Sequence, residues 1–329
     1  MTSSFLLPMQ VPNFGAAIRD AKSGSPEARL VAAIALGRIR DGNEPMAIKA
    51  LSDLASDPIE EVRAQALEGI GEQMRGGADV PENVILEAIS DPCPRVRLAA
   101  VENMAFGKNG GATDTLISML SDPDPTVRAT TCRLLGEMGE PSAQEAIFRL
   151  LEDGTPFVTY ESAMALAEFG DSRGESVLVQ MVERGGDLAI DAAYSLGKIG
   201  NKRLCASLRA VANKRFVGAE LKAMAAAALV RSGGEDGREI LKRLLMSRRQ
   251  NTKHIVLGSL SRLPVKGMVS VVALLLDDKR SLIVSAAIRT LCALAKIDKD
   301  KALQALLSRK NAIEGELSLE LEEALTALH

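Results

Sequence analysis

The chain has 329 residues, more than one ordinary hydrophobic core organises, so it holds either several domains or a repeat array. Its 40 Lys and Arg stand against 43 Asp and Glu, a formal net charge of −3, with 47% hydrophobic and 25% charged residues, which excludes collagen-like, disulfide-scaffold and largely disordered chains. Aromatic residues make up 3% and Trp is absent, so any core is built from Ala, Leu, Ile, Val and Met.

The first stretch, MTSSFLLPMQVPNFG, has no positive charge before its apolar part and is broken by Pro8 and Pro12, which argues against a signal peptide. Residues 1–24 are expected to cap the open core of a first repeat, and 25–329 to form one continuous array. From Ala28 a single pattern recurs: ARLVAAIALGRIR at Ala28, VRAQALEGIGEQM at Val62, VRLAAVENMAFGK at Val96, VRATTCRLLGEMG at Val127 and VTYESAMALAEFG at Val158. Further copies start at Leu188, Leu221, Thr252, Ile283 and Leu317, and all starts lie 30 to 34 residues apart, the signature of a solenoid. Between the copies run second amphipathic segments such as GATDTLISMLSD (111–122) and SAQEAIFRLLED (142–153), so one repeat is a helical hairpin.

Gly139, Gly170, Gly200 and Gly233 share one phase, where the first helix must stop and positive φ is needed. Asp57-Pro58, Asp91-Pro92 and Asp122-Pro123 mark the other boundary, where Asp is expected to cap the next helix and Pro to end the preceding segment. No run of 18 apolar residues suggests a membrane span.

The pattern DPxPxVRxxAxxxLGxxG, carried by 57–71, 91–104 and 122–139, resembles the HEAT-like repeats of phycobilisome-lyase type, within the armadillo-like superfamily. The resemblance implies an all-α, right-handed α-α superhelical solenoid of about nine to ten HEAT-like helical hairpins, with a concave face lined by second helices. It also implies that Asp57, Asp91, Asp122, Arg63, Arg97 and Arg128 form a structural ladder between neighbouring repeats. After about residue 150 the pattern weakens, with Thr159, Ala189, Lys222 and Val284 where Arg stands at 29, 63, 97 and 128.

Chemistry-bearing motifs are scarce. The two histidines, His254 and His329, neither precede Glu nor lie close together, so the His-Glu pairs of di-iron hydroxylases built on similar repeats are missing. There is no phosphate-binding glycine loop or nucleophile elbow, and the Gly pairs at 76–77, 110–111, 185–186 and 233–234 read as turns. Cys93, Cys132, Cys205 and Cys292 form no CxxC and suggest neither zinc nor disulfides, which predicts a cytoplasmic protein. The expectation is a non-enzymatic scaffold without metal or cofactor; the lyase resemblance leaves a tetrapyrrole-handling role as a lesser alternative.

The net charge conceals a split. Residues 201–310 hold 23 Lys and Arg against 8 Asp and Glu, whereas 1–200 hold 17 against 30. The inter-repeat turns of the basic stretch carry doublets, Lys214-Arg215, Arg248-Arg249, Lys279-Arg280 and Arg309-Lys310, spaced 34, 31 and 30 residues apart. Stacked turns would align them in a stripe, each doublet ahead of a helix N-terminus that favours anions. The expected partner is a protein with an acidic surface; an anionic surface or nucleic acid is the alternative, with Phe216 the one aromatic residue of 201–310 and so no base-stacking platform.

Overall fold

The computed structural model describes residues 13–106, 112–310, 312–313 and 315–328. Every regular element among them is an α-helix or a short 3-10 turn, and the chain is an all-α solenoid of helical hairpins. Its contacts divide it into two compact units, residues 1–165 and 166–329.

In the N-terminal unit α1 (Phe14–Ser23) packs on α2 (Pro26–Gly37) and α3 (Glu44–Leu54), the part of the expected 1–24 cap that lies within the described residues. There follow α4 (Glu60–Arg75), α5 (Glu82–Ala88), α6 (Pro94–Met104), α7 (Ala112–Met119), α8 (Pro125–Met138), α9 (Gln144–Arg149) and α10 (Pro156–Glu168), within which the division between the units falls. The even-numbered members are the first helices of the repeats, and α2, α4, α6 and α8 pack in succession. Their buried faces are largely Ala and Leu, including Ala32, Ala33, Leu36, Ala64, Leu67, Val127 and Leu135. Small side chains let the helices approach closely: a Cβ added at Gly37 would stand 2.7 Å from the Cα of Gly69. Gly139 ends α8 at φ 69°, as its phase predicts, and closes the turn through the N–H of Glu140 donating to the carbonyl of Leu135.

A ladder of Arg–Asp pairs crosslinks these repeats. Arg29 holds Asp57, Arg63 holds Asp91, Arg97 holds Asp122 and Arg128 holds Asp153, each through Nε and Nη2 to the two carboxylate oxygens at 2.6 to 3.1 Å. The remaining Nη1 of Arg63, Arg97 and Arg128 donates to the carbonyls of the Asp and Pro of its own repeat, so each guanidinium ties its own opening turn to that of the next repeat. Burial raises the pKa values of Asp57, Asp91, Asp122 and Asp153, but the arginine hydrogen bonds, a backbone N–H and the nearby charges outweigh it and hold the carboxyls below the usual range.

The geometry corrects the capping expectation. Asp57 and Asp91 are not N-caps: those positions belong to Ile59 and Cys93, whose N–H groups the carboxylates accept at 2.9 and 2.8 Å. In the third copy the N-cap is Asp124, whose Oδ1 accepts from Thr126 and Val127, while Asp122 serves the ladder. The carboxylates thus organise the turn before the helix and spend their other oxygen surface on the previous repeat. At Thr159 the series ends: its short hydroxyl donates to the carbonyl of Asp153, doing the work of Nη1 but reaching no further carboxylate.

The C-terminal unit continues with α11 (Glu175–Arg184), α12 (Ala189–Ile199), α13 (Cys205–Asn213), α14 (Ala219–Arg231), α15 (Asp236–Leu245) and α16 (Gln250–Arg262). It closes with α17 (Val269–Ala273), α18 (Ser281–Leu294), α19 (Lys299–Leu307) and α20 (Glu316–Leu328). First helices α12, α14, α16, α18 and α20 pack in succession, and second helices α11, α13, α15, α17 and α19 form the neighbouring layer. The buried run Ala223–Leu229 of α14 has neighbours on every side. One ladder-like pair recurs here: Lys253, at the arginine phase, bonds Asp278 at 2.9 Å.

Candidate partner-binding edge

The four basic doublets sit at the junction where each second helix hands over to the next first helix. Lys214 and Arg215 follow α13, Arg248 and Arg249 follow α15, and Lys279 and Arg280 directly precede α18. Arg249 and Arg280 are themselves the N-cap residues of α16 and α18, without a side-chain cap. Arg309 and Lys310 follow α19 and, like Lys214 and Arg215, lie several residues before the next first helix, α20, which begins at Glu316.

The doublets are not equivalent in charge. Arg280 bonds Asp278 through Nε and Nη2 at 2.8 Å, and Asp278, also bound by Lys253, is held well below the ordinary carboxylate range, chiefly by Arg280. Arg309 forms a bidentate pair with Asp277 at 2.8 and 2.7 Å, and Lys310 reaches Glu322 at 2.9 Å. The acidic doublet Asp277-Asp278 therefore draws Arg280 and Arg309 together and neutralises both. Among the described residues Lys214, Arg215, Arg248, Arg249 and Lys279 are exposed and pair with no carboxylate. Lys214 touches only the carbonyl of Glu183, at 3.3 Å.

Exposed apolar side chains border these cations. Phe216, directly after Arg215, is fully exposed at 101% and sits at φ 61°, the one non-glycine residue with positive φ among those described. Arg215 lies 6.0 Å from its ring centroid. Met246, Leu282 and Leu307 are 50%, 49% and 45% exposed and each stands two residues from a doublet. The sequence marks these residues as apolar but gives no signal that they face solvent, because burial of a turn residue depends on its neighbours.

In the N-terminal unit a cleft of about 300 Å³ opens between α4 and α6, lined by Met74, Asp79, Glu82, Leu86, Met104 and Phe106, with Arg75 over the Phe106 ring at 5.4 Å. No group of three or more His, Cys, Asp or Glu side chains is placed to hold a metal among the described residues. His254 is half-buried in α16, and His329 lies outside the described residues. Burial pushes the Cys132 thiol up to about 12, so it is no nucleophile at neutral pH. No described helix is long and apolar enough to cross a membrane.

A family model for HEAT repeats matches residues 12–105, 82–154 and 113–193, together more than half of the sequence. The chain belongs to the HEAT repeat family. A search of curated proteins finds no match. Among solved structures, the HEAT array is similar to the Escherichia coli protein YibA, at 22% identity and TM-score 0.55 over 66% of this chain and 81% of that one. It is also similar to an engineered protein, at 18% identity and TM-score 0.46 over 96% and 99% of the two chains. A third similar structure is the CpcE–CpcF complex of phycocyanin lyase from Nostoc, at 19% identity and TM-score 0.49 over 77% of this chain and 96% of that one. At these identities the likeness concerns the fold of the HEAT repeats alone.

Proposed function

We propose that the protein is a non-enzymatic scaffold that binds a partner protein with an acidic surface along the basic turns of its C-terminal unit. The observation that carries this reading is the set of five exposed cations at the inter-repeat turns, Lys214, Arg215, Arg248, Arg249 and Lys279, left without carboxylate partners while the other doublet members Arg280, Arg309 and Lys310 are paired. An unbalanced basic edge raises the local potential and speeds encounter with an acidic surface. HEAT solenoids need no catalytic group for such work, since the stacked repeats present an extended surface.

The test compares the native chain with the triple variant Arg248→Glu, Arg249→Glu, Lys279→Glu as bait in lysate, with captured proteins identified by mass. Arg280 is left unchanged because its pair with Asp278 belongs to the fold. Acidic proteins held by the native bait and lost by the variant, at unchanged helicity, are the expected result. An unchanged set would refute the assignment, and binding to duplex DNA that collapses steeply with salt would move the edge to nucleic acid.

A further inference from the structure

The acidic-partner reading is the ground for this step, because the basic turns carry a second chemistry that charge alone does not require. Phe216 occupies a backbone region that L-residues with a β-carbon rarely visit, and its ring is fully in solvent. Packing does not reward that conformation in the isolated chain. A persistent backbone outlier of this kind points to use rather than to stability. Met246, the C-cap of α15 two residues before Arg248, and Leu282, in the first turn of α18 two residues after Arg280, are apolar side chains about half exposed beside the next two doublets. Each of these three inter-repeat turns therefore has one large exposed apolar side chain close to its unpaired cations.

We propose that this edge is the docking site for an acidic amphipathic helix of a protein partner, with Phe216, Met246 and Leu282 as its apolar anchors between Lys214, Arg215, Arg248, Arg249 and Lys279. The spacing selects a helix. First helices α12, α14, α16 and α18 pack directly on one another, which sets successive turns about 10 Å apart. A helix rising about 1.5 Å per residue covers that distance in about seven residues, two full turns, so anchors at every seventh position share one face. An extended segment covers it in about three residues, an odd number, and successive contacts would fall on opposite faces. Acidic positions flanking each anchor then meet the doublets, while burial of the anchors supplies the non-directional part of the affinity. A nucleic-acid backbone would leave the three apolar side chains without a partner.

The probe is a synthetic peptide of about 18 residues, Glu and Ala throughout with Leu at every seventh position, set against the same peptide with Ser replacing each Leu. Binding to the full chain is read by fluorescence anisotropy. The Leu peptide should bind on the order of a hundredfold tighter than the Ser peptide, since each of the three anchors is worth roughly fivefold. Phe216→Ser should remove about fivefold from the Leu peptide and leave the Ser peptide unchanged, and Arg248→Ala with Arg249→Ala should weaken both. A thermal melt of each variant confirms that the exposed substitution leaves the fold intact. Equal affinity for the two peptides, or indifference of the Leu peptide to Phe216→Ser, overturns the anchor assignment while leaving the acidic-partner reading standing. Failure of both peptides to bind overturns both. Binding instead to phosphatidylserine vesicles, abolished by Phe216→Ser and without any preference for Leu over Ser, assigns the edge to a bilayer and likewise overturns the proposal.

Discussion

Asp122→Ala isolates the contribution of the ladder. Arg97 and Asp122 form its most enclosed rung, with side chains only 9% and 3% exposed, and the carboxylate accepts from Nε and Nη2 of Arg97 and from the N–H of Asp124. Removing it leaves a guanidinium that keeps only the Nη1 bonds to the carbonyls of Asp91 and Pro92. Orphaning one member of a buried ion pair costs about 3–5 kcal/mol, and residual contact of this rung with water brings the expectation to about 3 kcal/mol. The control is Glu68→Ala, which breaks the pair with Arg95, whose side chains are 41% and 55% exposed, and should cost about 0–1 kcal/mol. Denaturant unfolding followed by circular dichroism reads both. The double variant Asp122→Leu, Arg97→Met should recover part of the loss, because no charge is then left unpaired. Equal destabilisation by Asp122→Ala and Glu68→Ala would refute the claim that the rung is structural.

Three further outcomes are expected. The carboxyls of Asp57, Asp91, Asp122 and Asp153 have folded pKa values below their unfolded ones, so their contribution is complete above the unfolded carboxylate range near about 4 and is lost as pH falls through the folded values; melting temperature should fall in that acid window, and less so in Asp122→Asn. Phe216→Gly should stabilise the protein by about 1 kcal/mol through relief of the positive-φ conformation, and a melt unchanged or lowered would contradict the strain. Leu135→Asp places a carboxylate at a fully buried site of α8 and should cost several kcal/mol, about 3 or more, in the same denaturation assay.

Much of the fold is legible in the residues because each repeat restates it. The 30 to 34 residue period, the glycine at the end of the first helix and the Asp-Pro turn recur often enough that local ambiguity averages out. The ladder residues are readable as a set, but Asp153 is not, since Gly154 follows it where Pro follows the others; the Arg-to-Asp interval of 25 residues, shared by Arg97 and Arg128, is the available signal. The same interval links Lys253 to Asp278. The basic edge is visible as composition and phase, whereas its division into free and neutralised charges is not. Arg309 finds Asp277 across one repeat, 32 residues away, and the choice between pairing and solvent is made by three-dimensional proximity that a charge count cannot express. Neither the positive φ of Phe216 nor its exposure has any counterpart in the letters around it.

The ladder has a bearing on how such a chain can change length over generations. Each rung joins an Arg near the start of one first helix to an Asp 25 to 28 residues later, in the turn that opens the next repeat. A segment of one full period, cut anywhere between residues 29 and 153, therefore carries one donor and one acceptor. Duplicating or deleting that segment closes a new rung across the junction and strands no charge in the interior. A cut that takes an Arg without a matching Asp leaves one member of a rung unpaired, at a cost like that reckoned for Asp122→Ala, whereas the rungs of 25 and 28 residues show that a few residues more or less between the two are accommodated. Gene duplication in steps of whole repeats thus keeps every Arg matched to an Asp, and the ladder selects for segments that carry the two in equal number.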